Sequence, residues 1–249
     1  MEDSMKILVI NSNTSELMTQ QIDVAAKMYA NSGTEITTMS AASGPRSIEG
    51  EYDVALSAIG TLETLIAHEK VFDGFIDACG CDPGLYACRE VTSKPVVGIG
   101  EASMYMACLL GHKFTSMTAL WRMIPRMEKI VRMYGLWDRC ASVRAAGAKV
   151  IDIAKDRDRL VEAFIKEGKV AIEQDGADVI ALSGAAMVGM DKKMEEVLGV
   201  PVTDGVVSAV KLVEAQVAYK LHTSKKNTFA PPERKEAINI NEVLKAVYR

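Results

Sequence analysis

The sequence predicts an α/β protein of two pseudo-symmetric lobes, each with a mostly parallel sheet flanked by helices, and a ligand cleft between them. Short β-branched runs alternate with longer helical patterns, which is typical of parallel strands joined by crossover helices. Three landmarks also recur along the chain at a nearly constant spacing. With 249 residues, 49% of them hydrophobic, the chain can bury the core of one large domain or of two lobes.

The first third of the chain shows the alternation of strands and helices most clearly. The pattern predicts strands at residues 6–10, 34–39 and 74–78, and helices at residues 15–30 and 52–69. The polar cluster Asn11-Ser12-Asn13-Thr14 follows the first strand, and Cys79 follows the third. Ligands of open α/β sheets bind beyond the carboxyl ends of the strands, so we expect both groups at a binding site.

An internal repeat is indicated by three pairs of segments. Residues 6–11 match 113–118, residues 73–79 match 178–184, and residues 95–98 match 201–204, at offsets of 107, 105 and 106. The few identities would also fit the ordinary rhythm of a doubly wound sheet. If the repeat is real, residues 1–98 with 205–249 form the first lobe and residues 99–204 the second. Cys79 and Asn11 would then face Gly184 and Thr118 across a cleft.

Composition excludes several classes of protein. The net charge of −4 and the absence of a basic stripe argue against nucleic-acid binding. No apolar run approaches the length needed to cross a bilayer, and the start Met1-Glu2-Asp3-Ser4 has the wrong charge for a signal peptide. Five cysteines, an odd number, fit reduced thiols. We therefore expect a cytoplasmic protein with a small-molecule substrate and no membrane partner.

Several motifs, in the same order, resemble the hydantoin racemase branch of the aspartate/glutamate racemase superfamily. They lie at residues 6–15, 44–50, 79–85, 95–102 and 140–145, and the resemblance extends over about residues 5 to 217. It implies a cofactor-independent enzyme that forms a homo-oligomer. In that family one cysteine from each lobe approaches the α-carbon of a hydantoin, an allantoin-like ureide or an amino acid. One thiolate removes the α-proton, and the other thiol returns a proton to the opposite face.

Cys79 is the thiol of the first lobe that this resemblance makes catalytic. Gly80 would allow close backbone approach, while Asp82 as N-cap and Pro83 as first helical residue would bring helix N–H groups near the sulfur. Such a position lowers the pKa of a thiol and makes it a competent base. Cys81 is the nearest rival thiol. A Cys-x-Cys metal pair lacks a His or second Cys pair to complete a site, so we expect no metal.

The second lobe departs from the family pattern. Where hydantoin racemases typically have Gly-Cys-Ala-Gly-Met, this chain has Ser183-Gly184-Ala185-Ala186-Met187. Gly184 neither gives nor takes a proton, which leaves three hypotheses. Ser183, Cys81 or a water beside Gly184 acts as the second proton carrier; or one thiol suffices for an isomerase, lyase or decarboxylase that works on one face; or the protein only binds a small molecule.

The remaining site residues are predicted from their positions at strand ends. Amides and hydroxyls in these loops suit ring carbonyls, N–H groups or a carboxylate. We therefore predict Cys79 and Ser183 as catalytic, and a larger set as substrate-binding. That set comprises Asn11, Asn13, Thr14, Gly80, Cys81, Thr118, Gly184 and Ala185.

Overall fold

Two four-stranded parallel sheets form the framework of the molecule, in a computed structural model that describes residues 4–147 and 157–248. The first sheet contains β1 Met5–Asn11, β2 Thr34–Ser40, β3 Gly74–Asp77 and β4 Val96–Gly98. The second contains β5 Phe114–Thr118, β6 Cys140–Ala145, β7 Val179–Leu182 and β8 Val202–Asp204. The strand orders, β2-β1-β3-β4 and β6-β5-β7-β8, are the same. The predicted α/β class and its two similar lobes are therefore confirmed.

Helices connect the strands in both lobes. Their bounds are α1 Glu16–Tyr29, α2 Glu51–His68, α3 Leu85–Val91, α4 Ile99–Leu110, α5 Ile124–Met133, α6 Arg157–Glu173, α7 Asp191–Leu198, α8 Gly205–Ala218 and α9 Glu242–Lys245. The helix predicted at residues 15–30 begins after Ser15, whose hydroxyl accepts the N–H of Met18 as an N-cap. Sequence periodicity thus located the first elements to within one or two residues.

The register of the strands supports the internal repeat. In the first sheet Asp77 pairs with Ile10 and with Gly98. In the second sheet Leu182 pairs with Met117 and with Asp204. Cys79 and Gly184 each lie two residues beyond the strand residue of this row, so they occupy matching positions in their lobes.

Buried central strands hold the sheets in place. Ile7, Leu8 and Val9 of β1 have no exposed surface, as expected of a parallel strand covered by helices on both faces. Helix α8 follows the second sheet but returns to pack against β3 and β4 of the first. Its N-cap is Asp204, whose carboxylate accepts the N–H groups of Val206 and Val207. This return places the carboxyl ends of both sheets around one cleft.

The turn after Cys79 differs from the prediction. Helix α3 begins only at Leu85, with Gly84 (φ 80°) at its N-cap position. Asp82, with φ 44°, lies in the preceding turn, so it is not an N-cap and Pro83 is not the first helical residue. The physical reason is that the Asp82 carboxylate binds the N-terminus of α4 instead.

No helix among residues 4–147 and 157–248 is both long and apolar enough to cross a membrane. Met1, Glu2 and Asp3, on which the expectation about a signal peptide depends, lie outside the described residues.

Candidate active site

A cleft between the two sheets collects most of the residues predicted for the site. It holds about 650 Å³ of empty space, including the part open to solvent. The first lobe lines it with Asn13, Met18, Ile48, Ala78, Cys79, Gly80 and Cys81. The second lobe lines it with Met117, Thr118, Ala119, Leu120, Met123, Met127, Ser183, Gly184, Ala185, Ala186 and Met187.

Cys79 is a half-buried thiol at the carboxyl end of β3. Its Sγ lies 3.5 Å from the Sγ of Cys81, which is buried. The hydrogen bond with Cys81, followed by burial, raises the pKa of Cys79 well above its usual value. The expected lowering by a helix N-terminus is thus not found, because α3 begins six residues beyond Cys79, at Leu85.

Gly184 faces the cleft from the second lobe without any conformational need for glycine. Its φ of −95° and ψ of 140° are open to every residue type. A Cβ at this position would meet one neighbour, the Cε of Met187 at 2.9 Å, which is the far end of a flexible side chain. The methionine therefore occupies space that a side chain at position 184 would claim.

Gly80, by contrast, is required by the contact between the lobes. A Cβ on Gly80 would lie 2.6 Å from the carbonyl oxygen of Ser183 and 2.8 Å from the Cα of Gly184. Any side chain here would force the two strand-end loops apart. The absence of a side chain at position 80 thus brings the Cys79 loop directly against the Gly184 wall.

Ser183 lies in the wall of the cleft, but its hydroxyl belongs to a buried cluster. Its Oγ is 3.2 Å from the Oγ of Ser103 and 3.2 Å from the Oγ of Ser116, and 1% of the residue is exposed. No carboxylate or imidazole is hydrogen-bonded to it among the described residues. A catalytic role for Ser183 stays a prediction, and the structure shows no base that would activate it.

The polar loop after β1 contributes one side chain to the cleft. Asn13 lines it, and its Oδ1 accepts hydrogen bonds from Asn11 Nδ2 (3.0 Å) and Ser15 N (2.8 Å). Asn11 is fully buried and lies outside the lining. Thr14 also lies outside it, and its N–H donates to the carbonyl of Pro45 at 3.0 Å. Asn11 and Thr14 therefore shape the loop that presents Asn13.

The apolar lining was not anticipated from the sequence. Five of the lining side chains are methionines, and none of the lining residues is charged or a histidine. The chain contains 14 methionines, so composition held a weak signal, but their spacing along the chain gave no indication of a common wall. The methionines concerned are Met18, Met117, Met123, Met127 and Met187.

Buried carboxylates lie behind the thiols. Asp77 accepts a hydrogen bond from Ser12 at Oδ1, and its other oxygen has no partner among the described atoms. Burial, followed by the charge of Asp82, raises the pKa of Asp77 well above its usual value. Burial, followed by the charge of Glu101, raises the pKa of Asp82 to about 7. The charge of Asp82 in its ionised form raises the pKa of Cys79 further.

Metal binding finds no support in the part of the chain that the structure describes, where no group of three or more His, Cys, Asp or Glu side chains is placed to hold an ion.

The fold and the cleft define the class of this protein as two-lobed α/β proteins with a thiol at a strand end facing the opposite lobe. The family model for Asp/Glu/Hydantoin racemase matches residues 7–213. The chain therefore belongs to the Asp/Glu/hydantoin racemase family and is an enzyme.

Similar proteins agree with this assignment. The chain is 43% identical to a hydantoin racemase of Pseudomonas sp. (strain NS671) over 239 residues, which cover 96% of each chain. It superposes on an allantoin racemase from Klebsiella pneumoniae with a TM-score of 0.93 and 37% identity, covering 97% of this chain and 99% of that one. An allantoin racemase from Pseudomonas fluorescens gives a TM-score of 0.92 and 37% identity, with coverage of 94% and 100%.

Proposed function

We propose that this enzyme racemises a hydantoin- or allantoin-like cyclic ureide, with the Cys79 thiolate as the base that removes the α-proton. The observation that carries the proposal is the cleft itself, where Cys79 faces the second lobe at the carboxyl end of β3 and no lining side chain is charged. The similarity to hydantoin and allantoin racemases supports the same substrate class.

A neutral ring fits this lining better than a free amino acid does. An amino acid carries a carboxylate and an ammonium group. Burying an uncharged polar group without a hydrogen-bond partner already costs on the order of 2–7 kcal/mol, and burying an unpaired charge costs more. The cleft offers the amide of Asn13 and the hydroxyl of Thr118 as hydrogen-bonding groups. These suit the carbonyl and N–H groups of a ureide ring.

Proton removal leaves the ring as an enolate, with the electron pair of the broken C–H bond delocalised onto the neighbouring carbonyl oxygen. The Cys79 sulfur takes the proton and becomes a neutral thiol. Because burial and Cys81 raise the pKa of Cys79, a small fraction of the enzyme carries the thiolate at neutral pH. Activity should therefore increase as the pH rises above neutrality.

Protonation of the opposite face needs a donor other than Gly184. Cys81 lies on the same lobe as Cys79, and the Ser183 hydroxyl is engaged with Ser103 and Ser116. We propose that a water beside Gly184 gives the proton, and that the hydroxyl of Ser183 assists this transfer. Hydroxide formed there completes the balance by returning to solvent as the thiol of Cys79 ionises again.

One alternative rests on a specific observation. Both thiols of the cleft, Cys79 and Cys81, belong to the first lobe, so thiol chemistry reaches one face of a ligand. An isomerase, lyase or decarboxylase acting on a related small amide or carboxylate needs no more than that. Such a reaction would change the carbon skeleton or retain the configuration at the α-carbon, whereas racemisation converts one enantiomer into the other.

The test is incubation of enantiopure hydantoins and allantoin in D₂O, followed by NMR and polarimetry. Deuterium incorporation with loss of optical rotation is expected. Because methionines line the cleft, hydantoins with alkyl or thioether 5-substituents should have a higher kcat/KM than those with polar 5-substituents. Exchange with retention, or a changed skeleton, would favour the alternative.

Cysteine variants locate the reacting group. Cys79→Ala should abolish turnover, while the matched variant Cys108→Ala, which changes a half-buried thiol outside the cleft, should keep it. Full activity in Cys79→Ala contradicts the proposal. The expectations of a cofactor-independent reaction, a homo-oligomer, a cytoplasmic location and the stated residue bounds of the lobes stay predictions.

A further inference from the structure

The carboxylate of Asp82 links the thiol loop of the first lobe to the second lobe. It accepts the backbone N–H of Gly100 at 2.9 Å and that of Glu101 at 2.8 Å, both in the first turn of α4. The hydroxyl of Tyr134, just after α5, donates to the same carboxylate at 2.5 Å. Asp82 lies three residues from Cys79, so these bonds act directly on the loop that carries both thiols.

Two glycines form a cradle for this carboxylate. A Cβ on Gly98 would overlap the Asp82 carboxylate, and a Cβ on Gly100 would lie 2.6 Å from its Oδ2. The same Cβ on Gly100 would also overlap the carbonyl oxygen of Gly80. The Gly-x-Gly pair at the start of α4 thus leaves room for one particular side chain and for the backbone of the thiol loop.

The backbone conformation of Asp82 is one that surrounding contacts must stabilise. Its φ of 44° lies in the left-handed region, which residues other than glycine adopt uncommonly. Such conformations persist where surrounding contacts over-determine them. Here the contacts are the three hydrogen bonds to the carboxylate and that of the Asp82 N–H to the Cys79 carbonyl at 2.9 Å.

We propose that Asp82 is a positioning residue, which ties the Cys79–Cys81 loop to the N-terminus of α4 and so fixes the thiols against the Gly184 wall. Its catalytic consequence rests on the proposed function, but the tie itself does not. Asp82 is not among the residues that line the cleft. It acts through the loop.

The groups facing Asp82 give the tie a defined dependence on pH. Glu101, paired with Arg89, and Asp77 approach it as like charges, while Tyr134 and the two N–H groups favour its ionised form. The pKa of the bound carboxyl is about 7, above the 3.8 of a free one. The tied state therefore binds a proton more tightly than a released loop, and the tie weakens as the pH rises from about 4 to about 7.

Tyr134→Phe isolates this effect, because it removes one donor and keeps the ring. Hydrogen bonds to an ionised carboxylate are stronger than those to a neutral acid. Removing the Tyr134 hydroxyl should therefore weaken the tie more above pH 7 than at pH 5.5. The readout is methylthiolation of Cys81 by a small thiosulfonate, followed by peptide mass spectrometry. Cys81 lines the cleft but is 4% exposed, so the rate of its modification depends on how tightly the loop is held.

The expected result is a ratio of variant to wild-type modification rates near 1 at pH 5.5 that rises several-fold by pH 8.5. Taking the ratio of the two proteins at each pH cancels the pH dependence of the reagent chemistry that they share. Tyr86→Phe is the matched control: its ring packs 6.5 Å from that of Tyr134 and it makes no hydrogen bond to Asp82 among those described, so its ratio should stay near 1.

An Asp82→Asn background supplies the second arm. Without a carboxyl group to titrate, adding Tyr134→Phe should change the modification rate by a factor that does not vary with pH. A ratio for Tyr134→Phe that is flat with pH, or a pH-dependent one in the Asp82→Asn background, overturns the proposal. Because no substrate is used, failure of the hydantoin assay leaves this test intact, and the two proposals fail separately.

Discussion

In the proposed reaction, the residue at position 184 determines whether a second thiol faces the substrate. Gly184 has an ordinary backbone conformation, and a Cβ there meets only the methyl end of Met187. We therefore predict that Gly184→Cys folds normally and accelerates racemisation of the hydantoin substrate, since a thiol then faces each side of the α-carbon. Polarimetric kcat/KM measures the gain, which should be at least tenfold, about 1.4 kcal/mol in the barrier.

The control for that variant is Gly184→Ser at the same position, which adds similar volume without a thiol. It should leave the rate close to that of the unchanged enzyme. Equal acceleration by both variants would mean that the volume at position 184, and not a second thiol, limits the reaction.

Gly80 is the opposite case among the glycines of the cleft. Its missing side chain lets the thiol loop touch Ser183, so Gly80→Ala should overpack the contact between the lobes and lower the free energy of unfolding by roughly 1–3 kcal/mol. Urea unfolding measures the change. Gly184→Ala, where the single close neighbour is flexible, is the matched variant and should change stability by less; a larger loss there contradicts this account.

At the scale of elements, the capped N-terminus of α8 stabilises the point where the chain passes back to the first lobe. Asp204 accepts N–H groups from Val206 (2.8 Å) and Val207 (3.2 Å) and from Gly189 (2.7 Å). Asp204→Ala leaves these donors without their partner, so thermal or urea unfolding should show a loss of about 2 kcal/mol.

Asn241→Ala provides the comparison for a cap that supports little else. Asn241 caps the four-residue α9 through the N–H of Val243 and is exposed. Its loss should be a few tenths of a kcal/mol, near the low end for exposed caps in short helices. Equal losses in the two variants would mean that Asp204 contributes no more than an ordinary cap.

For these elements the sequence was informative where the signal is local. Hydrophobic periodicity located β1 and α1, and the repeat offsets placed Cys79 and Gly184 at matching strand ends. The role of Asp82 could not be predicted, because its partners Gly100 and Tyr134 lie 18 and 52 residues away. Local pattern instead suggested an N-cap, the commonest use of an Asp before Pro and a helix.

The whole molecule carries an unusual set of buried carboxyls, and these set its response to pH. Burial raises the pKa of Asp77, Asp82 and Glu101 together, and that of Asp82 to about 7. A carboxyl whose pKa is higher in the folded state binds a proton more tightly there than in the unfolded chain. The free energy of unfolding should therefore fall as the pH rises from about 4, the value for a free carboxyl, to about 7.

Asp175 works in the opposite direction but over a different range. Its hydrogen bond with Arg144 lowers its pKa, so its contribution is present above its unfolded pKa near 3.8 and is lost only in stronger acid. Between pH 5.5 and 8 the buried carboxyls thus decide the sign. Urea unfolding should give a higher free energy at pH 5.5 than at pH 8, and Asp82→Asn should reduce the difference because it removes one titrating group. A stability that rises across this interval, or a difference unchanged in Asp82→Asn, would show that Asp82 is ionised in the folded enzyme throughout and that its three donors outweigh its burial.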